Sequence, residues 1–384
     1  MITWLLKPGE LSLKKGNRKL FEKALKKNLE RMLDSTGAKI VMRSGRYYVH
    51  GPESDIEKIE LALDRLIGIS GWARACTCNK TVSDVLQACV AEGKALAEKG
   101  HKTFKIEARR ADKSFPLDSY QIQCDCGSAV LEAAPELSVD VHKPDCKIWV
   151  EIREKAYIYS GSRKGLGGLP VGTAGRGLLL LSGGIDSPVA GFQMALRGMS
   201  LSAVHFHSYP YTSAEARKKV ESLAEILAEY SLGLHLHIVG FTKIQMLIKE
   251  RAPLPWSTVL LRMAMMECAE KIALQTKCKC LITGESLSQV ASQTIENLSC
   301  SECRITLPIL RPLIGEDKES IIRKAEKIGT YKTSILPYED CCVLFSPPHP
   351  ILQGDPKEAS ALYESLELAE LLSEAFGEME TVKC

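Results

Sequence analysis

Residues 178–190, LLLLSGGIDSPVA, carry an apolar run into two glycines, an aspartate and a Ser-Pro pair. The four leucines read as a buried parallel strand, and Ser182 to Ser187 as the turn at its carboxyl end. Ser187 before Pro188 predicts a helix start, with serine as the cap and proline at the first helical position. Gly183 and Gly184 permit a sharp bend and leave backbone N–H groups uncovered. A strand, a glycine turn and a helix N-terminus, in that order, aim donors at one spot, which suits phosphate. The absence of G-x-x-x-x-G-K-[ST] excludes a Walker loop, and no G-x-G-x-x-G supports a dinucleotide fold. An aspartate among phosphate-facing donors is unusual for a plain anion site; Asp186 fits if it holds Mg²⁺ or positions the substrate.

Sulfur is the second candidate chemistry. Of 14 cysteines, Cys341 and Cys342 are adjacent in PYEDCC, and Cys300 and Cys303 form C-x-x-C. Adjacent Cα atoms lie ~3.8 Å apart, below the ~4.4–6.8 Å of ordinary disulfides, so Cys341 and Cys342 are poorly placed to pair. C-x-x-C spacing is competent for redox or metal chemistry. Cys76, Cys78, Cys124, Cys126 and Cys146 leave a structural zinc open, whereas Cys278 and Cys280 read as packing. His205 with His207 and His235 with His237 each share a strand face. The identity of any metal is not fixed by these patterns.

The elements that must position these groups fall into two styles. Segments 17–33, 53–68, 81–100 and 119–137 read as helices, 38–51 as a hairpin turning at Ser44-Gly45, and 102–113 and 138–161 as strands, an α+β pattern. The stretch 161–177, GSRKGLGGLPVGTAGRG, reads as a linker or mobile loop. Thereafter strands at 178–181, 201–206, 234–239 and 280–283 alternate with helices at 187–197, 213–231, 256–276 and 317–328, predicting a doubly wound parallel α/β sheet.

Length, at 384 residues, implies two or three domains, and 45% hydrophobic with 25% charged residues fits a globular chain. No apolar run is long enough to span a membrane, and the start lacks the basic n-region of a secretory signal, so a cytoplasmic chain without membrane partner is expected. Net charge of +3 decides little, but basic residues are dense between Lys7 and Arg31, including Lys14, Lys15, Arg18 and Lys19. Such a face suits phosphate backbones, or is simply solvated.

The S-G-G-x-D-S turn closely resembles the loop of the PP-loop ATP pyrophosphatases. PYEDCC (337–342), TGESLSQVASQT (283–294), LRPLIG (310–315), HFHSYPYTS (205–213), FPLDSY (115–120), LPVGT (169–173) and GELSLKKGNRKLFEKAL (9–25) extend this to a resemblance, across essentially the whole chain, to the tRNA 4-thiouridine synthetases. The resemblance implies a ferredoxin-like domain at 1–58, a THUMP RNA-binding domain at 59–166 and a PP-loop domain at 167–384. It implies transfer of AMP from ATP to the C4 oxygen of a tRNA uridine, expected at position 8, followed by replacement with sulfur, with thiamine thiazole synthesis as a further use of the sulfur. Cys341 would be the nucleophile, and Asp186 would act with the phosphates. Leu180, Leu181, Ser182, Gly183, Gly184, Ser187, His205, Phe206, Arg262, Gly284 and Gln293 would bind ATP with Mg²⁺. Arg262 lacks the usual neighbouring arginine, since Leu261 and Met263 flank it. Cys300, Cys303 and Cys342 would resolve a persulfide or hold an iron–sulfur cluster. Lys14, Lys15, Arg18, Lys19, Arg109 and Arg110 would contact tRNA. A cysteine desulfurase or other persulfide donor is implied, and a homodimer is open. The alternatives are a cluster-dependent thiolase of the same fold and a tRNA-binding module without catalysis.

Overall fold

The computed structural model describes residues 1–14, 16–43, 46–338 and 347–384. Two compact units, Met1–Leu169 and Pro170–Cys384, divide the chain.

In the first unit the order is β1 (Ile2–Pro8), α1 (Arg18–Met32), β2 (Lys39–Arg43), β3 (Arg46–Gly51), α2 (Ile56–Arg65), β4 (Ile69–Cys78), α3 (Val82–Glu98), β5 (Thr103–Arg110), α4 (Ser119–Ala133), β6 (Ser138–Val139), β7 (Cys146–Ile152), β8 (Ala156–Ser160) and β9 (Arg163–Lys164). One sheet, β2-β3-β1-β4-β8-β7-β5-β6 with β9 on β4, runs through the whole unit. Strand β4 is its hinge-point: residues 69–75 pair with β1 and residues 76–78 with β8. Its sequence, ISGWARACTC, is poor in β-branched residues, so periodicity alone gives no strand there. Amphipathic α1 buries Phe21, Leu25 and Leu29 against Trp4, Leu6 and Trp72, while α3 and α4 cover a second core around Phe104, Ile106 and Ile148.

The glycine-rich stretch is not a free linker in its first half. Gly165 N–H donates to Ser70 O at 3.0 Å and Gly167 N–H to Ile69 O at 2.8 Å. These bonds seat residues 165–167 along β4, so backbone pairing overrides the flexible composition.

The second unit contains β10 (Arg176–Leu180), α5 (Asp186–Leu196), β11 (Ser200–His207), α6 (Ala214–Ser231), β12 (His235–Gly240), α7 (Thr242–Arg251), α8 (Ser257–Gln275), β13 (Leu281–Ile282), α9 (Ile295–Glu302), β14 (Ile309–Leu310), α10 (Lys318–Ile328), α11 (Tyr331–Ser334), α12 (Pro356–Ser365), α13 (Ala369–Gly377) and β15 (Glu380–Lys383). Its sheet order is β14-β13-β10-β11-β12-β15. The first five strands are parallel, as expected; β15 adds an antiparallel edge on β12. Helix α8 is buried on nearly every side, from Val259 through Ala273, which is why it shows no amphipathic stripe. Connections leave β10 toward β11 on one side, and β13 lies on the other, so the carboxyl ends of β10 and β13 form the topological switch point.

Candidate active site

At that switch point a cavity of about 260 Å³ opens. Leu180, Leu181, Ser182, Asp186, Ser187, His205, Phe206, Arg262, Gly284 and Gln293 all line it, together with Val204, Met265, Met266, Thr283 and Glu285. Residues from four separate stretches of sequence therefore meet at one place. Leu180, Val204, Phe206, Met265 and Met266 give one apolar wall, suited to a flat heterocycle. His205 is buried and its Nδ1 lies 3.1 Å from Leu181 O, which fixes the ring against the end of β10.

The glycine turn supplies the polar wall. Helix α5 begins at Asp186, so Ser187 and Pro188 fall inside its first turn rather than at the cap and first position. Proline is tolerated there because first-turn N–H groups have no intrahelical acceptor. The Ser187 hydroxyl caps nothing; it accepts from Ser182 N–H at 2.9 Å and holds the turn closed. Ser182 Oγ in turn accepts from Gly184 N–H at 3.3 Å. The helix lies tight on β10 because Gly191 faces Leu179: a Cβ there would stand 2.7 Å from Leu179 Cδ2. Gly284 serves a similar purpose from the other side, since its Cβ would stand 2.6 Å from Ser187 N. Its lack of a side chain is a requirement of close approach by the first turn of α5.

Asp186 is the electrostatic centre of the turn. Lys318 Nζ sits 2.6 Å from its Oδ1, and Gln289 Nε2 donates to its Oδ2 at 2.9 Å. Across the cavity Glu285, 2% exposed, pairs with Arg262, accepts from Thr283 Oγ1 at 2.7 Å and from Arg311 Nε at 2.7 Å. Arg311 also reaches Glu302 at 2.6 Å. Glu285, Thr283, Gln289, Lys318 and Arg311 are absent from the sequence-based site. The first three lie in TGESLSQ, Arg311 in LRPLIG and Lys318 just after it, so the signal was position within segments already singled out.

Cys341, Cys342 and Lys15 lie outside the described residues. The chain leading to the cysteine pair is anchored to the glycine turn and to α6: Ser334 Oγ donates to Gly184 O at 3.2 Å, and Lys219 Nζ donates to Leu336 O at 2.9 Å and Tyr338 O at 3.3 Å. Cys300 is buried, 2.9 Å from where a Cβ on Gly354 would lie, and burial pushes its thiol up to about 11. Cys303 is exposed, yet desolvation raises its thiol too. Both are therefore poor thiolates at neutral pH. Among the described residues no three His, Cys, Asp or Glu side chains gather as a metal site. Cys278 and Cys280 are buried beside β13, as packing predicts.

Residues 172–368 match the thiamine biosynthesis protein (ThiI) family, 79–160 the THUMP domain and 3–73 the ThiI ferredoxin-like domain. A probable tRNA sulfurtransferase of Treponema pallidum (strain Nichols) is 52% identical over 376 residues, covering 97% of this chain and 94% of that protein. The chain belongs to the tRNA sulfurtransferase family. Another member, from Caldanaerobacter subterraneus subsp. tengcongensis, is 48% identical over 90% of each chain. A crystal structure of a 4-thiouridine synthetase–RNA complex with bound ATP superposes with a TM-score of 0.93 at 38% identity, covering 100% of this chain and 99% of that one. PH1313 from Pyrococcus horikoshii aligns with a TM-score of 0.67 at 26% identity over 86% of this chain.

In this sulfurtransferase-family chain the expected RNA contacts among the described residues do not form one cluster. Lys14, ahead of α1, lies over the Phe21 ring at 5.4 Å; at the start of α1 Arg18 is paired with Glu22 at 2.8 Å and Lys19 is exposed. Arg109 and Arg110 sit on β5, separated from β1 by β4, β8 and β7. Arg110 Nη1 clamps the carbonyls of Phe115 and Leu117 at 3.1 and 3.2 Å. Arg109 instead lies exposed over Trp149 at 5.9 Å, where Lys7 also lies at 5.9 Å. Lys7 thus joins the basic surface through the sheet rather than through sequence proximity. No helix among the described residues is long and apolar enough to cross a membrane.

Proposed function

We propose that this chain is an ATP-dependent tRNA sulfurtransferase that converts one uridine, expected at position 8, to 4-thiouridine. The observation that carries this reading is the single cavity that joins an apolar wall, the S-G-G-x-D-S turn and Arg262 at the switch point of the sheet. The adenine would lie against Phe206, Met265 and Met266, and the phosphates against the N-terminus of α5, whose dipole favours anions. Asp186 and Glu285 are the two carboxylates lining the cavity, and Glu285 is already shared by two arginines. Asp186 is then the hard-oxygen donor left for Mg²⁺, alongside nucleotide phosphates, which is the donor set that ion prefers. Lys318 pairs with Asp186 at the turn and would meet the same phosphates.

The uridine O4 attacks the α-phosphorus, the bond to the bridging oxygen breaks, and pyrophosphate leaves. O4 then carries AMP and becomes a competent leaving group. The terminal sulfur of a persulfide on Cys341 attacks C4, and the C4–O bond breaks with loss of AMP. A second thiol attacks the sulfur of Cys341, forming a disulfide and leaving the transferred sulfur on C4. Cys300 and Cys303 are the candidates for that thiol, since Cys342 is poorly placed to pair with its neighbour, and an external reductant restores the pair. The terminal sulfur comes from a cysteine desulfurase or other persulfide donor, and the same persulfide would serve thiazole synthesis. The unit containing 1–58 and 59–166 holds the tRNA, with Lys14, Lys19, Lys7 and Arg109 as phosphate contacts; a cytoplasmic setting completes the reading, and a homodimer stays open.

Purified protein supplied with ATP, Mg²⁺, unmodified tRNA, desulfurase and cysteine should yield 4-thiouridine by nucleoside mass spectrometry. Binding of tRNA and ATP without any 4-thiouridine would favour the binding-module reading. Iron in anaerobically purified protein, lost in Cys300→Ser, would favour the cluster-dependent one.

A further inference from the structure

A nucleotide site that uses an arginine must hold it still, because a long, flexible side chain otherwise loses rotamer freedom each time the ligand binds. In this fold a buried carboxylate has that position. Glu285 follows directly on Gly284, at the carboxyl end of β13, and is 2% exposed. One of its oxygens pairs with Arg262 of α8; the other accepts from Arg311 Nε and from the Thr283 hydroxyl, each at 2.7 Å. Arg311 follows β14, so a single carboxylate ties together the ends of two strands and the central helix. The outer arginine is held in turn by Glu302 at 2.6 Å.

We propose that Glu285 is a positioning residue for nucleotide binding, acting through Arg262. Its carboxylate fixes the guanidinium along the cavity wall before ATP arrives, and Arg311 and Thr283 fix the carboxylate. Without this clamp Arg262 keeps its charge but loses its direction, so affinity falls. The inference rests on the cavity being the ATP site.

The test is ATP binding to full-length protein by calorimetry, together with thermal melting. Glu285→Gln keeps shape and removes charge; it should raise the ATP Kd at least about tenfold. In an Arg262→Met background the same change should add little, because the guanidinium through which Glu285 acts is gone. Arg311→Gln, which loosens the clamp from outside, should raise the Kd by a smaller factor, again only when Arg262 is present; it serves where Glu285→Gln does not fold. Unchanged Kd with a lowered melting temperature would make Glu285 a packing residue and overturn the proposal. Additive effects in the double variants would overturn it as well. Failure of the unsubstituted protein to bind ATP would instead refute the nucleotide reading of the cavity.

Discussion

The two units of the chain carry function in opposite ways. In Pro170–Cys384 side chains from four stretches of sequence converge on one cavity of about 260 Å³. In Met1–Leu169 the described cations expected to meet RNA are divided between the region around the start of α1 and strand β5 of a nine-stranded sheet. The contrast follows from the ligands. A nucleotide is small and must be aligned to within a fraction of an ångström for displacement at phosphorus, so its site is a pocket of fixed donors. A folded RNA is large and is read through shape and backbone charge, so many weak contacts suffice. Substitutions in the second unit should therefore act singly and severely, and those in the first should act weakly and in sum.

The sharpest break comes from the chemistry itself. Asp186→Ala should lower adenylation by about 10³-fold, the loss typical of a preorganised charge at a reacting centre, while tRNA affinity stays near that of the parent. Radiolabelled pyrophosphate release and filter binding, measured side by side, check both halves. Cys341→Ser should abolish sulfur transfer yet leave adenylation intact, because oxygen is a far poorer sulfur acceptor while the phosphate turn lies elsewhere in the chain. Wild-type 4-thiouridine formation by either variant would end the corresponding assignment.

A backbone test comes next. Gly284→Ala places a Cβ 2.6 Å from Ser187 N, so either α5 or the turn after β13 must move. We expect ATP affinity to fall by about 10²-fold, the scale associated with ~1 Å displacements in positioned sites, with a lowered melting temperature. Unchanged affinity would mean that the junction between these turns is pliable.

These cases also separate what the amino-acid sequence discloses from what it hides. The S-G-G-x-D-S turn, the parallel strands and nine of the ten expected cavity-lining residues are legible because each sits in a short local pattern; Arg262 is expected only through the family resemblance. Glu285 and Lys318 are not, because their roles are defined by partners 23 or more positions away: Arg262 and Glu285 differ by 285 − 262 = 23, Lys318 and Asp186 by 318 − 186 = 132. Strand β4 is hidden for another reason. Its Gly, Ala and Cys residues carry little strand propensity, and its place is imposed by β1 on one side and β8 on the other. Helix α12 has a readable start, with Asp355 capping Lys357 and Glu358 and Pro356 at the first position, but no motif leads into it to draw attention to that signal.

The RNA half of the comparison predicts smaller effects. Lys19→Ala and Arg109→Ala should each weaken tRNA binding only a few-fold and reduce the slope of log K against log salt by about one per lost phosphate contact. Arg110→Ala should behave differently, because its guanidinium clamps Phe115 and Leu117 carbonyls. Its loss should show first as lower thermal stability, and a full unit of lost salt slope with unchanged melting would reassign it to the RNA surface.

The smallest effect concerns pH and lies in the sheet edge of the second unit. His237 is buried on β12; its Nδ1 lies 2.9 Å from Thr381 Oγ1 of β15, and its Nε2 has no partner. Burial, with a lesser push from His235, lowers its pKa below the ordinary value. His207 on neighbouring β11 is lowered too, by burial and by Arg217, with Glu380 opposing. A histidine whose folded pKa is depressed binds protons more weakly in the native state than in the unfolded one. Its contribution is therefore fully present above the unfolded pKa of about 6.5 and is lost as pH falls through that value toward the folded pKa. Denaturant unfolding between pH 8 and pH 5 should show stability declining below about pH 6.5, by no more than about 1.4 kcal/mol per pH unit for each histidine. His237→Gln should remove part of that slope and leave the remainder to His207 and to His50, whose pKa burial also lowers. A slope identical in the variant would show that His237 takes up its proton without disturbing the pairing of β12 with β15.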